Sequence, residues 1–305
     1  MTAFVLGVDA GGTSTRALAV GADGSVLGSG RAGGANPNSH PPAEAVANLA
    51  AAIRAAAEFP GRASACVIGM AGTAKLTDPE VAALFDRTLR DVGLDRVLIL
   101  TDAEVAFASA TDAPDGTVLI AGTGSIAGRI RKRRMVATEG GYGWLLGDEG
   151  SGFWLGREAV RATLAALGHD GELGPLATAV LAEADVDATD RRWAWRRLIA
   201  VTNAEPPIRL ARFAPLVAVD DPAAADIVER GADLLVRTAL ATREPGEDTP
   251  VVLVGSVLGP GTEVGERVRA KLSGLEVRTS SDGVYGAAWL AAVEAFGEAA
   301  ARRAG

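Results

Sequence analysis

The chain has 305 residues and a formal net charge of −8 at pH 7, with 48% apolar and 22% charged residues. At about 150 residues per domain this length predicts two domains, and the composition excludes a disordered or collagen-like chain. The acidic balance gives no electrostatic reason to bind nucleic acid, and the single cysteine, Cys66, excludes an internal disulfide and a cysteine-rich zinc or iron–sulfur site built by one chain.

Short β-branched runs bounded by Gly, Asp or Pro alternate with segments of helical periodicity. In chain order the predicted elements are strands at 4–8 and 17–20, a helix at 43–59, a strand at 66–68, a helix at 79–92, a strand at 97–100, a helix at 103–110, strands at 118–121 and 126–130, a helix at 153–167, a strand at 251–254 and a helix after Asp282. This alternation predicts an α/β fold.

Targeting and membrane segments are not expected. The first residues lack the basic segment and the long apolar run of a signal peptide. No later window approaches the roughly 18 apolar residues of a membrane span. We therefore expect a cytoplasmic protein with no membrane partner.

A weak internal duplication relates residues 5–14 to residues 118–125. In each, a strand runs into glycines and hydroxyl residues and then into a second apolar stretch, which predicts two glycine hairpin loops. Successive backbone N–H groups in such turns form anion-binding nests, so the pair could hold a polyphosphate between domains. The alternative for either loop alone is an ordinary turn.

The first loop is neither a G-x-x-x-x-G-K-[ST] phosphate loop nor a G-x-G-x-x-G fingerprint, because it leads into a strand. The Asp-Ala-Gly-Gly-Thr run at 9–13 resembles the first phosphate motif of the sugar kinase, heat-shock chaperone and actin superfamily. Residues 122–125 resemble its second phosphate motif and residues 251–256 its adenosine motif, in the same order.

This resemblance implies an actin-like ATPase fold with two ribonuclease H-like lobes and an interdomain cleft. The first lobe would comprise residues 1–111 and 283–305, and the second residues 112–282. The resemblance implies ATP binding by Gly11, Gly12, Thr13, Ser14, Gly122, Thr123, Gly124, Gly255 and Ser256.

Asp9 has two interpretations. It is an ordinary residue to end a strand at a turn. In similar ATPases the matching Asp holds Mg²⁺ through water, and Mg²⁺ is usually bound by one or two carboxylates plus phosphates. The resemblance therefore implies a magnesium role for Asp9.

Residues 140–152 resemble the sugar-site signature of N-acetylglucosamine kinases, which belong with the ATPases that activate benzoyl-CoA reductase. Asp148 and Glu149 are acceptors suited to pairs of sugar hydroxyls, and Tyr142 or Trp144 offers an apolar wall to a pyranose face. The alternative for Glu149 is an anchor at the start of the following helix. The implied substrate-binding residues are Asn36, Gly72, Asp102, Gly141, Tyr142, Asp148, Glu149 and Ser151.

Asp102 follows the strand at 97–100 and precedes a helix, so a helix cap is its structural alternative. In similar sugar kinases the Asp after this strand accepts the proton of the attacking hydroxyl, which implies a general base. Similar aminosugar kinases also place on the sugar an Asn from the loop after the predicted second strand. That position points to Asn36, with Asn38 the next candidate.

The resemblance implies ATP-dependent phosphorylation of the 6-hydroxyl of an amino sugar by a homodimer. N-acetylglucosamine and glucosamine come first, and N-acetylmuramic acid stays open. One alternative is an ATPase that drives electron transfer, although those relatives hold a cluster with paired cysteines. The other is a nucleotide-gated regulator, although those relatives usually add an N-terminal DNA-binding module and here the first strand begins at Phe4.

Three further features carry less chemistry. The basic run at 129–134 predicts a solvated hairpin tip rather than a nucleic-acid patch. The segment at 191–197, with two Trp and four Arg, is expected to cover the second domain or a dimer contact. His40 and His169 have no zinc-ligand spacing, so no structural zinc site is expected.

Overall fold

The computed structural model describes residues 3–280 and 282–300. The strands are β1 (Phe4–Ala10), β2 (Ser14–Gly21), β3 (Val26–Gly33), β4 (Cys66–Met70), β5 (Val97–Thr101), β6 (Gly116–Ala121), β7 (Ser125–Arg131), β8 (Arg134–Gly140), β9 (Val251–Val254) and β10 (Val277–Thr279). The α-helices are α1 (Pro42–Ala56), α2 (Pro79–Asp91), α3 (Asp102–Ala110), α4 (Gly152–Leu167), α5 (Pro175–Glu183), α6 (Arg191–Asn203), α7 (Pro222–Ala241), α8 (Glu263–Lys271) and α9 (Gly283–Phe296). Every element predicted from the sequence is present, with ends shifted by a few residues.

The chain forms two compact units. Unit 1 comprises Met1–Asp115, Ile130–Met135 and Ser280–Gly305, and unit 2 comprises Gly116–Arg129 and Val136–Thr279. The predicted lobe boundaries remain a prediction, and their residues 1, 2, 281 and 301–305 lie outside the described part of the chain.

Each unit is built on a five-stranded sheet. In unit 1 the strand order is β3-β2-β1-β4-β5, and in the second sheet it is β10-β9-β6-β7-β8. When the strands of each sheet are numbered from the one that comes first in the chain, both sheets have the order 3-2-1-4-5. In both sheets the first strand pairs in parallel with the fourth, and the fourth with the fifth: β1 with β4 and β4 with β5 in unit 1, β6 with β9 and β9 with β10 in unit 2. The duplication noticed in the loops thus extends to the strand order.

The carboxyl ends of β1, β4 and β5 meet at one edge of the unit 1 sheet. These strands are parallel, and Ala10 pairs with Met70, which in turn pairs with Thr101. The residues that follow each strand therefore leave the sheet at the same edge. This edge carries the loop after β1, Gly72 after β4 and Asp102 after β5.

Strand β3 was not predicted, and its sequence explains why. It has glycines where a strand usually shows apolar alternation. A Cβ at Gly28 would lie 2.3 Å from the Ala56 carbonyl oxygen, and one at Gly30 would lie 2.0 Å from that of Ala52. Helix α1 therefore packs directly on the strand backbone. As a correction, the loop with Asn36 follows the third strand of unit 1, not the second.

Helix α9 completes the core of unit 1. Its residues Val284, Ala287 and Leu290 are buried among side chains of the sheet. A Cβ at Gly286 would lie 1.9 Å from the carbonyl oxygen of Val105 in α3, so the two helices are in close backbone contact. Unit 2 has its own core, formed mainly by helices α4 to α8 against its sheet.

The basic run forms the turn between β7 and β8, as predicted. Lys132 and Arg133 have positive φ angles at this tip. Arg133 pairs with Glu298 at 2.6 Å and lies over the Trp289 ring, while Arg134 pairs with the buried Glu104. Arg133 and Arg134 are therefore paired with carboxylates of the same chain.

The Arg and Trp segment at 191–197 opens α6. Trp193 and Trp195 are exposed, and Arg191 donates to carbonyl oxygens near the end of α4, including that of His169 at 2.7 Å. The Trp side chains therefore do not cover the core of unit 2. Within residues 3–280 and 282–300, no helix combines the length and apolar character needed to cross a bilayer.

Candidate active site

The first glycine loop, Gly11–Thr13, joins β1 to β2. It is closed by the Gly11 N–H, which donates to the Ser14 carbonyl at 3.1 Å, and the Gly11 carbonyl accepts from Ala35 and Asn36. Gly12 and Thr13 are exposed. The loop is thus held at its base while its tip is open to a ligand, as anion-binding turns require.

Asn36 lies in a loop that packs against this first glycine loop. Its Oδ1 accepts the Asn38 N–H at 2.8 Å, which fixes a local turn. Gly72 has a φ of 79°, and a Cβ there would lie 2.2 Å from Asn36 Oδ1. Asn36 and Gly72, two of the predicted sugar-binding residues, are therefore in contact at the edge where β1 and β4 end.

His40 supports the same arrangement, although sequence reasoning gave it no role. Its Nε2 lies 2.7 Å from the Gly12 carbonyl oxygen, and its Nδ1 lies 3.2 Å from Glu44 Oε1. The ring thus links the Asn36 loop to the first glycine loop. No sequence motif marks this contact.

Asp102 is the first residue of α3 but not its cap. Thr101 is the N-cap and forms a capping box with Glu104, whose buried carboxylate also accepts the Met135 N–H at 2.9 Å. The helix-cap alternative for Asp102 is therefore wrong, and the T-x-x-E spacing could have shown this. The Asp102 carboxylate accepts the Ala103 N–H at 3.0 Å.

Asp102 is open to solvent at one side yet crowded by its neighbours. Burial raises the pKa of its carboxyl, with a further rise from Glu104, against hydrogen bonds from the backbone of Ala103 and Asp102. A raised pKa makes a carboxylate a stronger base, while an aspartate still ionises well below neutral pH in most settings. Its chemistry therefore suits proton acceptance.

Asp9 forms an ion-pair cluster beside Asp102. Arg16 donates from Nη2 to Asp9 and from Nη1 to Asp282, each at 2.6 Å. Burial raises the pKa of Asp9, Arg16 opposes that rise, and the charges of Asp282 and Asp102 add to it. Sequence reasoning missed Arg16, and it used Asp282 only to mark a boundary.

Asp9 fits a hydrated Mg²⁺ ion in part. Among the described residues no group of three or more His, Cys, Asp or Glu side chains gathers as a metal centre. Mg²⁺ does not need one, because it keeps several waters and takes one or two carboxylates plus phosphates. Arg16 holds Oδ2 of Asp9, and no described donor is bonded to Oδ1.

The second glycine loop, Gly122–Gly124, joins β6 to β7 in unit 2. Its carbonyl groups are used at the start of α4: Gly122 accepts from Gly152 at 2.7 Å and Thr123 accepts from Phe153 at 3.1 Å. Thr123 itself is exposed. The loop is thus fixed by α4 and leaves its hydroxyl residue accessible.

Asp148 is bonded to this second glycine loop. It is buried, has a φ of 56°, and accepts the Ser125 N–H at 3.0 Å through Oδ1. Non-glycine residues seldom adopt such a φ, and Asp is among the few that tolerate it. The carboxylate predicted to bind sugar therefore also anchors the end of the phosphate loop.

The other residues of the 140–152 segment differ in exposure. Ser151 caps α4 by accepting the Trp154 N–H, and Glu149 pairs with Arg237 at 2.9 Å rather than with the start of that helix. Tyr142 and Trp144 are exposed, at 58% and 40%. Gly141 has a φ of 71° and bonds to the Ser125 carbonyl, which holds this segment against β7.

Ser256 lines a cavity of about 500 Å³ within unit 2, and Gly255 precedes it in the chain. Gly255 has a φ of 100°, and a Cβ there would lie 2.4 Å from the Ala121 carbonyl oxygen, next to the second glycine loop. The remaining walls are largely apolar and were not foreseen from the sequence; they include Leu155, Pro215, Val217, Val257 and Val264.

The structure thus gathers the predicted residues into two groups. Unit 1 brings together Asp9, the first glycine loop, Asn36, Gly72 and Asp102 at one sheet edge. Unit 2 brings together the second glycine loop, Gly141, Asp148, Ser151 and Gly255. Tyr142 and Glu149 belong to the same segment but make no contact with the second loop through their side chains among the described contacts.

Known proteins share this fold. A candidate N-acetylglucosamine kinase from Chromobacterium violaceum is 27% identical, with a TM-score of 0.72 over 95% of this chain and 99% of its own. A similar candidate from Porphyromonas gingivalis is 26% identical, with a TM-score of 0.67 over 92% and 96%. A glucokinase from Streptomyces griseus, 22% identical, gives a TM-score of 0.57 over 94% and 99% and supports the fold alone. The predicted α/β fold of the actin-like ATPase type is confirmed.

A curated relative matches part of the chain. The N-acetylmuramic acid/N-acetylglucosamine kinase of Clostridium acetobutylicum is 32% identical over 173 residues, which are 55% of this chain. The match spans 56% of that relative, little more than half its length. The sequence model of one ATPase family matches far more, from residue 6 to residue 291, and the chain therefore belongs to the BadF/BadG/BcrA/BcrD ATPase family.

Proposed function

We propose that the protein is an ATP-dependent kinase that phosphorylates the 6-hydroxyl of an amino sugar, first of all N-acetylglucosamine or glucosamine. The observation that carries the proposal is the unit 1 sheet edge, which Asp102 shares with an open glycine loop and Asn36. A base, a phosphate-binding turn and a sugar-binding amide are the groups that such a transfer needs. The names of the Chromobacterium violaceum and Porphyromonas gingivalis structures and of the curated relative support the substrate class.

Asp102 accepts the proton of the attacking hydroxyl in this proposal. Phosphoryl transfer has a loose transition state, so the proton leaves late and the main task of the carboxylate is to aim the oxygen. The Thr101 cap and the Glu104 carboxylate fix the first turn of α3, which sets the position of the base. Asn36 would orient the sugar by hydrogen bonds from the neighbouring loop.

Nucleotide binding would use both glycine loops and the cavity beside Gly255. Exposed N–H and hydroxyl groups of the loops suit phosphate oxygens. The apolar walls at Pro215, Val217 and Val257 suit an adenine ring, because nucleobases bind between apolar surfaces. Asp9 would hold Mg²⁺ through water at Oδ1, and the ion would neutralise charge on the transferred phosphate.

The proposal includes an oligomeric state and a location, and it competes with the electron-transfer alternative. A homodimer in the cytoplasm is the state in which we expect the enzyme to act. The electron-transfer alternative has no support from Cys66, because that thiol lies buried in β4 and burial raises its pKa to about 12.

The function is tested by an amino-sugar panel in an assay for ADP release with Mg²⁺ present. The panel holds N-acetylglucosamine, glucosamine, N-acetylmuramic acid and glucose, with 6-deoxy-N-acetylglucosamine as the matched control. We expect ADP release with an amino sugar, none with the 6-deoxy sugar, and a product phosphorylated at carbon 6 by NMR. ADP release that is independent of any sugar would instead favour an ATPase of another role.

Asp148 allows its two roles to be separated. Asp148→Asn keeps the oxygen that accepts the Ser125 N–H and tolerates a positive φ, whereas Asp148→Ala leaves that buried N–H without a partner at a cost of about 1–3 kcal/mol. If the carboxylate binds sugar hydroxyls, the Asn variant should keep wild-type stability and ADP affinity but raise KM for the sugar at least about tenfold, a loss of one charge-assisted hydrogen bond.

The measurements are thermal unfolding, calorimetric titration of ADP and steady-state kinetics on each variant. Glu172→Gln serves as a control, since Glu172 is an exposed carboxylate of unit 2 outside the 140–152 segment. A wild-type sugar KM in Asp148→Asn would leave Asp148 only the loop-anchoring role.

The rate should also depend on pH on the acid side. Burial raises the pKa of Asp102, and only the ionised carboxylate accepts a proton. As pH falls through this raised pKa, kcat/KM should fall, so the loss begins at a higher pH than the ordinary aspartate value of about 3.9 predicts. A kcat/KM profile checks this, with circular dichroism at each pH to confirm folding. A rate that stays constant down to pH 4 would contradict the assignment.

A further inference from the structure

We propose that Arg16 is a positioning residue for Asp9: it ties Asp9 to the start of α9 and thereby keeps the second oxygen of Asp9 available to the magnesium–nucleotide complex. This inference rests on the proposed function, because it concerns the nucleotide of that reaction. It assigns to Arg16 and Asp282 a task that the sequence motifs do not indicate.

Arg16 is placed for this task by the hairpin register. Asp9 and Arg16 are direct cross-strand partners in β1 and β2, and oppositely charged cross-strand pairs stabilise one another. The guanidinium then reaches a second carboxylate, that of Asp282, 266 positions away in the chain. The guanidinium presents a separate nitrogen to each carboxylate in one rigid plane, Nη1 to Asp282 and Nη2 to Asp9. Lys has a single ammonium nitrogen on a flexible stem and cannot reproduce this fixed spacing.

Asp282 fixes the far side of this link. Its Oδ1 accepts the Val284 N–H at 3.1 Å, so it caps α9, while its Oδ2 binds Arg16 at 2.6 Å. A Cβ at Gly283 would lie 3.2 Å from the Asp9 carboxyl carbon, so the start of α9 packs against Asp9 itself. Strands β1 and β2 and helix α9 therefore confine one carboxylate.

The charges explain why one arginine is needed. Asp9, Asp102 and Asp282 are close enough for both other carboxylates to act on Asp9. Three negative charges repel each other, and Arg16 is the cation bonded to two of them. Without it, repulsion from Asp102 and Asp282 would turn the Asp9 side chain away, and the carboxylate would no longer offer an ordered oxygen to a hydrated cation.

The test compares binding of ADP with and without Mg²⁺ by calorimetry, using the full chain. In wild type we expect Mg²⁺ to tighten ADP binding. Arg16→Lys should lower the apparent Mg²⁺ affinity in this assay by about 10- to 100-fold, as loss of groups that orient metal ligands commonly does, while ADP affinity without Mg²⁺ stays close to wild type. Asp282→Asn keeps the oxygen that caps α9, loses the charge, and should act in the same direction.

Arg31→Lys is the matched control. Arg31 pairs with Arg16 in the β2–β3 register but is exposed, so its variant should keep the wild-type Mg²⁺ dependence. If Arg16→Lys lowers only the unfolding temperature and leaves the Mg²⁺ dependence unchanged, Arg16 is merely structural and the inference is overturned. A wild-type protein that binds no nucleotide would instead refute the proposed function.

Discussion

Asp102→Asn should lower kcat on the amino sugar by about 10²- to 10⁴-fold while leaving ADP affinity unchanged, because a general base contributes on that scale. The Asn side chain keeps the oxygen that accepts the Ala103 N–H, so the first turn of α3 stays intact. Single-turnover kinetics at saturating sugar and ATP, with calorimetric titration of ADP, would measure both quantities.

The same variant should not be less stable than wild type. Because the pKa of Asp102 is raised in the folded state, the folded protein retains a proton in a pH range where the unfolded chain has lost it. The contribution of this group to stability is therefore complete below the ordinary pKa and is lost as pH rises through the raised value. At neutral pH, removing the charge should leave the unfolding temperature equal or higher.

Asp95→Asn provides the control, because Asp95 is an exposed aspartate just before the other end of β5. It should change neither rate nor stability. Wild-type turnover in Asp102→Asn would exclude Asp102 as the base. A large loss of stability in that variant would indicate a structural role instead.

Gly7→Ala should lower the free energy of unfolding by about 3 kcal/mol or more, at the upper end of what overpacking costs. A Cβ at Gly7 would lie 2.2 Å from the Ala288 nitrogen and 2.6 Å from its Cβ. The obstacle is the backbone of α9, which cannot move aside without separating the helix from β1. Urea unfolding followed by circular dichroism would show the lower midpoint.

Gly274→Ala is the matched substitution. No atom lies within 4 Å of a Cβ at Gly274. Replacing Gly by Ala at such a site usually stabilises by about 0.4–1 kcal/mol, because the unfolded chain loses freedom. Equal midpoints for the two variants would mean that α9 does not pack on β1 as described.

The elements with strong local patterns were predictable from the sequence, and those defined by packing were not. Strands such as β4 and β9 are buried β-branched runs, and α2 has its cap at Asp78 and a clear apolar stripe. Strand β3 lacks any such pattern because its glycines make room for α1. Strand β8 is largely exposed, and β10 has only 3 residues, too few for a periodicity.

The site divides along the same line. The glycine loops and Asp102 were indicated by residues that are near each other in the chain and match a known pattern. The Asp9–Arg16 pair follows from the register of a hairpin with a three-residue loop, so it could have been predicted from the sequence. The Arg16–Asp282 bond joins residues 266 positions apart. The His40 contact spans 28 positions, and no local preference encodes either.

The packing of α9 onto β1 has a consequence for biosynthesis. All of unit 2, residues 116–129 and 136–279, emerges from the ribosome before α9 does. Unit 2 can therefore finish folding before unit 1, because α9, which covers the sheet of unit 1, is synthesised last. Until α9 arrives, the nascent β1 strand exposes Val5, which is fully buried in the finished protein. A chaperone that shields this surface during translation would act on the first unit rather than the second.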